Sequence, residues 1–268
     1  MKKYSLLSIV VLAAMVLAAC GGAAAPTATE QPSSGSTGGM PDLGGKTITV
    51  AVENAYPPFN YIDQTTNEPM GWDYDTTREI CKRLNCTPEF KQAAWDGIFP
   101  AMQAGEYDML ADGVTITDER KKMVDFSEPY VTIGQVLLIQ AGKDLPDLAA
   151  FKADQNVKVG TQIGTTNEIV AKDNFGDRVK SFEDFGGAVA ALLSGDVDAV
   201  VIDTVTAVGF INENPGKLKI GPTLTSDEQL AFVFPPGSDL TAAVNAALDS
   251  MKADGTLKQL NDKWFNPS

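Results

Sequence analysis

The sequence predicts an α/β fold with mainly parallel sheets, divided into two lobes that face each other across a cleft. Strand patterns alternate with helix patterns along residues 46–265, the order from which parallel sheets are built. One helix–glycine–strand unit occurs twice, which suggests two similar halves. The chain has 268 residues, of which 44% are apolar, and this is enough to fill the cores of two domains.

The strands are predicted from short apolar runs. Ile48, Val50 and Val52 alternate with polar residues in the segment 46–53, as in a half-buried strand. Further strands are predicted at residues 107–112, 135–140, 157–161, 197–203 and 230–234.

The helices are predicted from apolar residues at helical spacing. Tyr74, Ile80 and Leu84 follow this spacing and predict a helix over residues 73–84. Asp254-Gly255 is a typical helix stop and separates two further helices near the carboxyl terminus. The remaining helices are predicted at residues 98–104, 165–173, 188–194, 240–253 and 256–264.

A weak internal repeat favours two related lobes. Residues 101–109 and 191–199 each contain a helix end, a glycine, two acidic residues and the start of a strand. Asp112 and Asp203 are predicted at the carboxyl ends of these two strands. Ligands of open α/β sheets bind outside the carboxyl ends of strands, so the repeat predicts a cleft that both aspartates face. The alternative is that such a unit recurs in any α/β protein.

The composition argues against several classes of function. The net charge of −14 leaves no broad basic face, so no nucleic-acid partner is expected. The chain contains no histidine, which removes the commonest general base and metal ligand and excludes Ser-His-Asp and Cys-His chemistry. We expect no metal and no cofactor, and an enzymatic function would depend on carboxylates, lysine or tyrosine.

The amino terminus has the parts of a secretory signal. Lys2 and Lys3 precede an apolar run that ends in Leu-Ala-Ala directly before Cys20. This junction resembles a bacterial lipobox, so residues 1–19 are predicted to be a signal peptide and Cys20 to carry a lipid. Plain secretion and a retained membrane span are the alternatives. Residues 20–45 are rich in Gly, Ala, Pro, Ser and Thr and predict a flexible tether that holds the body outside the cytoplasm.

Two further cysteines lie in the predicted body. Cys81 and Cys86 flank the end of the predicted helix 73–84. In an oxidising compartment they could form a disulfide, and free buried thiols are the alternative. Two thiols without histidine do not favour a zinc site.

The most informative stretch is Thr115-Ile116-Thr117-Asp118-Glu119-Arg120. Thr117 is predicted to open a short helix just beyond a strand, with Arg120 three residues later. Arginine suits a carboxylate because its planar fork donates two parallel charge-assisted hydrogen bonds. Taken alone, such an arginine is more often a surface residue.

The neighbouring motifs change that interpretation. They are residues 55–59 (AYPPF), 71–75 (GWDYD), 95–102 (WDGIFPAM), 115–120 (TITDER), 126–130 (FSEPY) and 164–166 (GTT), Gly195 with Asp198, and Asp203. With these motifs in this order, the sequence resembles extracellular solute-binding proteins of family 3, the polar amino-acid receptors of bacterial ABC importers, such as the histidine-, lysine/arginine- and glutamine-binding proteins. The resemblance implies a two-lobe, type II periplasmic-binding-protein-like fold, with lobe 1 at residues 46–132 plus 229–268, lobe 2 at residues 133–228 and two crossover segments.

The resemblance also implies how an amino acid would be held. The arginine of the Thr-x-x-Arg motif pairs with the α-carboxylate in the family, which here implies Arg120. The second-lobe aspartate binds the α-ammonium, which implies Asp203. The further groups implied are Thr165 and Thr166 for the carboxylate, and the Gly113 carbonyl and Thr115 for the ammonium. Independently of the family, Gly164-Thr165-Thr166 resembles a helix N-terminus, a ready site for an anion.

Side-chain selectivity would then fall to Glu53, Tyr56, Trp95 and Asp112. Tyr56 and Trp95 match family positions that sandwich the ligand side chain, where each ring could contribute about 0.5–2 kcal/mol to binding a cation. Glu53 matches the position that contacts the distal polar group, and Asp112 is an additional acid where small residues are common. Two acids and two aromatics favour arginine or lysine over glutamine, with histidine as a further candidate. The alternatives are that the two rings belong to the rim or the core, and that Asp112 pairs with Lys121 or Lys122.

The expected function is therefore that of a monomeric, membrane-anchored receptor that closes on a free amino acid and delivers it to an ABC permease. No covalent chemistry is expected. The first alternative is a dehydratase acting on a small carboxylic acid, similar to cyclohexadienyl dehydratase, with Glu53 or Asp112 as proton donor. The ligand-sensing ectodomain of a signalling receptor is a third class, which is less favoured because a second apolar membrane segment is expected of it.

Overall fold

The computed structural model describes residues 39–145 and 147–266. The predicted signal peptide, Cys20 and most of the predicted tether lie outside the described residues. Within the described ranges, the search for a helix of sufficient length and apolarity to cross a membrane finds none.

The described residues form alternating strands and helices. The strands are β1 (Lys46–Val52), β2 (Ala55–Tyr56), β3 (Asn60–Ile62), β4 (Pro69–Met70), β5 (Cys86–Gln92), β6 (Met109–Thr115), β7 (Asp125–Phe126), β8 (Val131–Ile133), β9 (Gln135–Gln140), β10 (Val159–Gln162), β11 (Val179–Phe182), β12 (Ala199–Asp203), β13 (Leu218–Thr223) and β14 (Glu228–Phe234). The helices are α1 (Trp72–Leu84), α2 (Ile98–Gln103), α3 (Leu148–Ala153), α4 (Thr166–Phe175), α5 (Phe185–Ser194), α6 (Thr204–Glu213), α7 (Leu240–Ala253) and α8 (Thr256–Phe265).

The first lobe is built on a sheet with the strand order β5-β1-β6-β14-β7, and β8 also pairs with β14. β1 is parallel to β5 and β6, whereas β14 returns antiparallel to β6. Alternate residues of β1 enter different cores, because side chains alternate along a strand. Val50 packs in the same apolar cluster as Ile80 of α1, and Ala51 packs in the same cluster as Met102 of α2.

The second lobe is built on a sheet with the order β11-β10-β12-β9-β13. β10 is parallel to β11 and β12, and β9 returns antiparallel to β12. The series β11-β10-β12-β9 therefore matches β5-β1-β6-β14 in the first lobe: three parallel strands and one antiparallel strand. The repeated sequence units lead into β6 and β12, the equivalent strands of the two sheets. The predicted two-lobe α/β fold is confirmed.

The sequence analysis and the structure differ near Asp112 and after Asp203. The strand predicted at residues 107–112 is β6, which extends to Thr115, so Asp112 lies within this strand and not at its carboxyl end. The left-handed backbone at Gly113 (φ 55°) follows it, and the pairing of β6 with β14 shifts register nearby. Helix α6, which starts directly after Asp203, was not predicted from the sequence.

The segment before β1 is attached to the body. Leu43 N donates to Leu84 O and Gly45 N donates to Asn85 O, each at 2.7 Å. The predicted flexible tether was placed at residues 20–45, so its predicted end lies a few residues too far along the chain. Beside this contact, the structure joins Cys81 of α1 and Cys86 of β5 in a disulfide, with the Cα atoms 4.5 Å apart.

The two sheets are connected by two crossovers that touch each other. One passes through Gly134, between β8 and β9, and the other lies between β13 and β14. Gln135 N donates to Thr225 Oγ1 at 2.9 Å, and Leu224 N donates to Gln135 O at 2.7 Å. A Cβ atom at Gly134 would overlap the Thr225 carbonyl and lie 2.9 Å from Ser226 Cα, so only glycine fits here.

Replacing Gly134 by alanine is expected to lower the free energy of unfolding by about 1–3 kcal/mol, because the new methyl group forces the crossovers apart. Urea unfolding of the ligand-free protein measures this. The matched control is Gly142→Ala, since a Cβ atom there meets nothing within 4 Å. Equal stability of the two variants would contradict the close packing of the crossovers.

Candidate functional site

A small cavity of about 20 Å³, room for little more than one water molecule, lies between the two sheets in this closed arrangement. The cavity is lined by all ten residues that the sequence analysis assigned to a ligand, namely Glu53, Tyr56, Trp95, Asp112, Gly113, Thr115, Arg120, Thr165, Thr166 and Asp203. Gln162, Asn167 and Phe185 also line it and were missed.

Arg120 lies in a short helical turn that follows β6. Its side chain is buried, with 8% of the residue exposed, and Nη1 donates to Thr115 O at 2.8 Å. The guanidinium also lies 4.7 Å from the ring centre of Phe99 and 5.2 Å from that of Trp95. Burial lowers the pKa of Arg120 to about 10, opposed by the charges of Asp203 and Glu228, so it remains a cation at neutral pH.

Within the described ranges, Arg120 forms no ion pair with a carboxylate, and its one side-chain hydrogen bond goes to a backbone carbonyl. A guanidinium has five N–H donors, and a buried cation is costly unless it is paired. The arrangement therefore suits an anionic group entering the cavity.

Asp203 ends β12 in the other lobe and is also buried. Tyr56 Oη donates to Asp203 Oδ2 across the cleft, and Asn167 Nδ2 donates to Oδ1 at 2.8 Å. Burial raises the pKa of Asp203 to about 6, while these two hydrogen bonds and the charge of Arg120 favour the ionised form. A carboxylate has about four acceptor sites, so Asp203 can still accept from a ligand N–H group.

Glu53 and Asp112 add two buried carboxyl groups on the first-lobe side. Glu53 Oε1 accepts from Gln162 Nε2 of the second lobe at 2.6 Å. Burial raises the pKa of Glu53, and the charges of Asp112 and Asp184 raise it further. Burial also raises the pKa of Asp112. An empty closed cavity therefore favours a proton on this pair, whereas a cation in the cavity would favour ionisation.

The carboxylate of Asp112 is bonded to the side-chain amide of Asn60. Asn60 Nδ2 donates to Asp112 Oδ1 at 2.7 Å and to Asp73 Oδ2 at 2.8 Å, so one NH₂ group bridges two buried acids. Lys121 pairs with the exposed Asp118. The alternative of an ion pair between Asp112 and Lys121 or Lys122 is therefore wrong: Asp112 faces the cavity and is bonded to Asn60.

The aromatic side chains of the cavity already have partners. The Tyr56 ring stacks on Phe59 of its own lobe and on Phe185 of the other, with ring centres 5.2 and 5.4 Å apart. Trp95 contacts Phe99 edge-on at 5.5 Å and lies beside Arg120. These neighbours already cover part of the Tyr56 and Trp95 rings, so a ligand could stack only on the remaining ring surface.

The Gly-Thr-Thr turn begins α4, as expected. Thr165 is the N-cap: its Oγ1 accepts from Glu168 N at 3.1 Å and donates to Gln162 O at 2.7 Å. The single hydroxyl proton of Thr165 is thus used within the protein. A bound anion would have to rely on backbone N–H groups at this helix start and not on that hydroxyl.

The residues missed from the sequence lie beside those predicted. Gln162 is the last residue of β10, whose end was predicted one residue too early. Asn167 is in the first turn of α4, and Phe185 begins α5 directly after its N-cap, Asp184. The rule that ligands lie at the carboxyl ends of strands could have found Gln162. No pattern in the sequence distinguishes Phe185 from a core residue.

Comparisons with known proteins agree with this geometry. The family model described as bacterial extracellular solute-binding proteins, family 3, matches residues 48–267. The L-cystine-binding protein TcyA of Bacillus subtilis (strain 168) is 31% identical over 267 residues, covering 99% of this chain and 98% of that protein.

Solved structures give the same result. The structure of an ancestral arginine-binding protein bound to arginine is 40% identical, with a TM-score of 0.74, and covers 82% of this chain and 98% of its own. The ancestral amino acid-binding protein AncCDT-1, described as a precursor of cyclohexadienyl dehydratase, is 34% identical, with a TM-score of 0.75, and covers 82% of this chain and 96% of its own.

The two lobes, the two crossovers and the cleft between them define a solute-binding protein. This chain belongs to the bacterial extracellular solute-binding proteins, family 3. The resemblance inferred from its motifs and the type II periplasmic-binding-protein-like fold are both confirmed.

Proposed function

We propose that this chain binds a free polar amino acid between its lobes and serves as the substrate-binding component of an amino-acid ABC importer. One observation carries the proposal: the buried Arg120, without an ion-pair partner among the described residues, faces the same cavity as the buried Asp203. An amino-acid zwitterion supplies a carboxylate for the first and an ammonium for the second.

The charge of the cavity favours a cationic side chain. Its lining contains three acids, Glu53, Asp112 and Asp203, and one base, Arg120. After the α-ammonium and α-carboxylate are paired, Glu53 and Asp112 still lack a cation. Arginine or lysine provides one, whereas glutamine leaves these acids to be neutralised by protons. We therefore place arginine and lysine ahead of glutamine and histidine.

Closure of the lobes on the ligand is the proposed mechanism. Among the described residues, several pairs cross the cleft directly, including Tyr56 with Asp203, Glu53 with Gln162, and Thr115 with Thr166, whose hydroxyl oxygens are 3.4 Å apart. Such pairs form only when the lobes are together. A ligand that contacts both lobes therefore favours the closed form over the open one.

The cellular setting is part of the same proposal. The lipobox-like junction at Cys20 supports a lipid anchor on the outer face of the membrane, with residues 1–19 removed as a signal peptide. The closed form would then be presented, as a monomer, to the membrane subunits of an ABC permease.

An enzyme on this fold is the second candidate. The raised pKa of Glu53 is what a proton donor to a leaving group needs, and one relative in the comparisons is named as a precursor of a dehydratase. Incubation with prephenate or arogenate tests it: product formation would support an enzyme, and binding of amino acids without turnover would end this alternative.

Calorimetric titration with the twenty standard amino acids tests the proposed function. We expect saturable binding of arginine or lysine by the unaltered protein. Arg120→Met should weaken it at least about thirtyfold, because the charge-assisted pair with the α-carboxylate is lost inside a buried site. Arg120→Lys should be intermediate, since it keeps the charge but loses the planar fork.

The matched control is Arg78→Met. Arg78 also lies over two aromatic rings, those of Tyr74 and Phe90, but does not line the cavity. Its replacement should leave affinity unchanged. Absence of saturable binding of any amino acid, or equal affinity of Arg120→Met and the unaltered protein, would overturn the proposed function.

The preference for arginine over glutamine should increase with pH. In the arginine complex the ligand cation lowers the raised pKa values of Glu53 and Asp112. In the glutamine complex burial keeps both pKa values raised, and the charges of Asp112 and Asp184 raise that of Glu53 further. Glutamine binding therefore takes up protons that arginine binding does not. The ratio of the two affinities should rise from about pH 5 to about pH 8.

Calorimetry with both ligands across this range measures the effect, and Glu53→Gln should flatten it. A ratio that stays constant with pH would show that the two carboxyl groups do not contact the ligand side chain.

A further inference from the structure

Glu228 occupies a position that the proposed ligand contacts do not explain. It is the first residue of β14, directly after the second crossover, and it does not line the ligand cavity. It lines an open groove on the other side of Thr115 and Thr166, two residues that line both the cavity and the groove. Thr115 and Thr166 therefore form part of the wall between the ligand and solvent.

The carboxylate of Glu228 accepts hydrogen bonds from four segments of the chain. Oε1 accepts from Thr225 Oγ1 of its own crossover at 2.6 Å. Oε2 accepts from Gln135 Nε2, beside the other crossover, at 3.0 Å. Oε2 also accepts from Thr166 Oγ1 of the second lobe at 3.3 Å and from Thr115 Oγ1 of the first lobe at 3.4 Å.

An ionised carboxylate can only accept hydrogen bonds, so each partner of Glu228 must donate to it. Gln135 Nε2 can only donate, and it reaches both Glu228 Oε2 and Thr166 Oγ1, the latter at 3.2 Å. Thr166 Oγ1 therefore accepts from Gln135, and its single proton can go to Glu228 Oε2, at 3.3 Å, or to Thr115 Oγ1, at 3.4 Å. An amide at residue 228 has one oxygen in place of two, so it could not accept from all four of these donors.

We infer that Glu228 is a positioning residue that acts as a latch: it ties both crossovers to Thr115 and Thr166, closes the cavity wall between them and so slows release of the ligand. This inference rests on the proposed function, because it concerns the same cavity. Opening of the lobes separates Thr166 from Thr115 and Glu228, so the bond to Thr166 stabilises the closed form alone.

The consequence concerns the rate of dissociation. Glu228 does not line the cavity, and in the open form the first-lobe and second-lobe contact groups are apart. Loss of the latch should therefore leave the association rate unchanged and raise the dissociation rate. Replacing a residue that contacts the ligand side chain would change the preference among ligands. Replacing a latch residue should raise the dissociation rate of every ligand alike.

The test is Glu228→Gln, followed by stopped-flow fluorescence with L-arginine, or with whichever standard amino acid the calorimetric screen shows to bind. The dissociation rate is expected to rise about tenfold, the effect of losing one hydrogen bond to a charged group, with the association rate within about twofold. Asp227→Asn is the matched control, since it removes the same charge from the exposed neighbouring residue, and it should have no effect.

A double variant separates the latch from a general loss of stability. Thr225 Oγ1 donates to Glu228 Oε1 and does not line the cavity. If Thr225 affects dissociation through Glu228, Thr225→Val should add little to Glu228→Gln. Glu228→Asp, which keeps the charge, should show an intermediate rate and serves as the second variant if the amide does not fold. Unchanged dissociation in folded Glu228→Gln, or multiplied effects in the double variant, would overturn the latch. Loss of binding in the unaltered protein would instead overturn the proposed function.

Discussion

The buried guanidinium of Arg120 is the constraint on which the rest of the site depends. β6, the turn after it and the rings of Phe99 and Trp95 fix its position, and one hydrogen bond to Thr115 O satisfies only part of its donor capacity. Removing a cation from water without a partner is costly, so this arrangement is fully stabilised only when an anion enters. In the proposed function, a ligand carboxylate would therefore both pair with Arg120 and complete the packed cavity.

The three acids of the cavity also carry a cost of burial, and this cost affects closure of the lobes. In the closed arrangement, burial raises the pKa values of Glu53, Asp112 and Asp203, which means that their charges are unfavourable there without a partner. At neutral pH an empty protein that closes must bury these charges or take up protons. A ligand with an ammonium and a cationic side chain compensates them directly. Under the proposed function, the desolvation of these acids would therefore link binding to closure without a separate trigger.

The fold and the list of cavity residues could largely be predicted from the sequence, because both depend on local signals. Apolar alternation, helix spacing and glycine stops locate the central strands of both main sheets and six of the eight described helices, but not the edge strands. The ordered motifs place Arg120 and Asp203 in one cleft. What the sequence could not provide depends on long-range contacts. Asp112 turns into the cavity because Gly113 takes a left-handed backbone and Asn60 holds the carboxylate. The Thr165 hydroxyl, expected to face a ligand, is used in capping α4. Glu228 acquires its partners only when the two crossovers meet.

The central claim is that Arg120 pairs with the carboxylate of the ligand. Comparing the affinities of L-arginine and agmatine, the same molecule without its carboxylate, tests this most directly, because the guanidinium end and one amine are kept. The account predicts that arginine binds at least about a hundredfold more tightly than agmatine, as expected for removal of one partner from a buried charge pair. Equal affinity of the two compounds would contradict it.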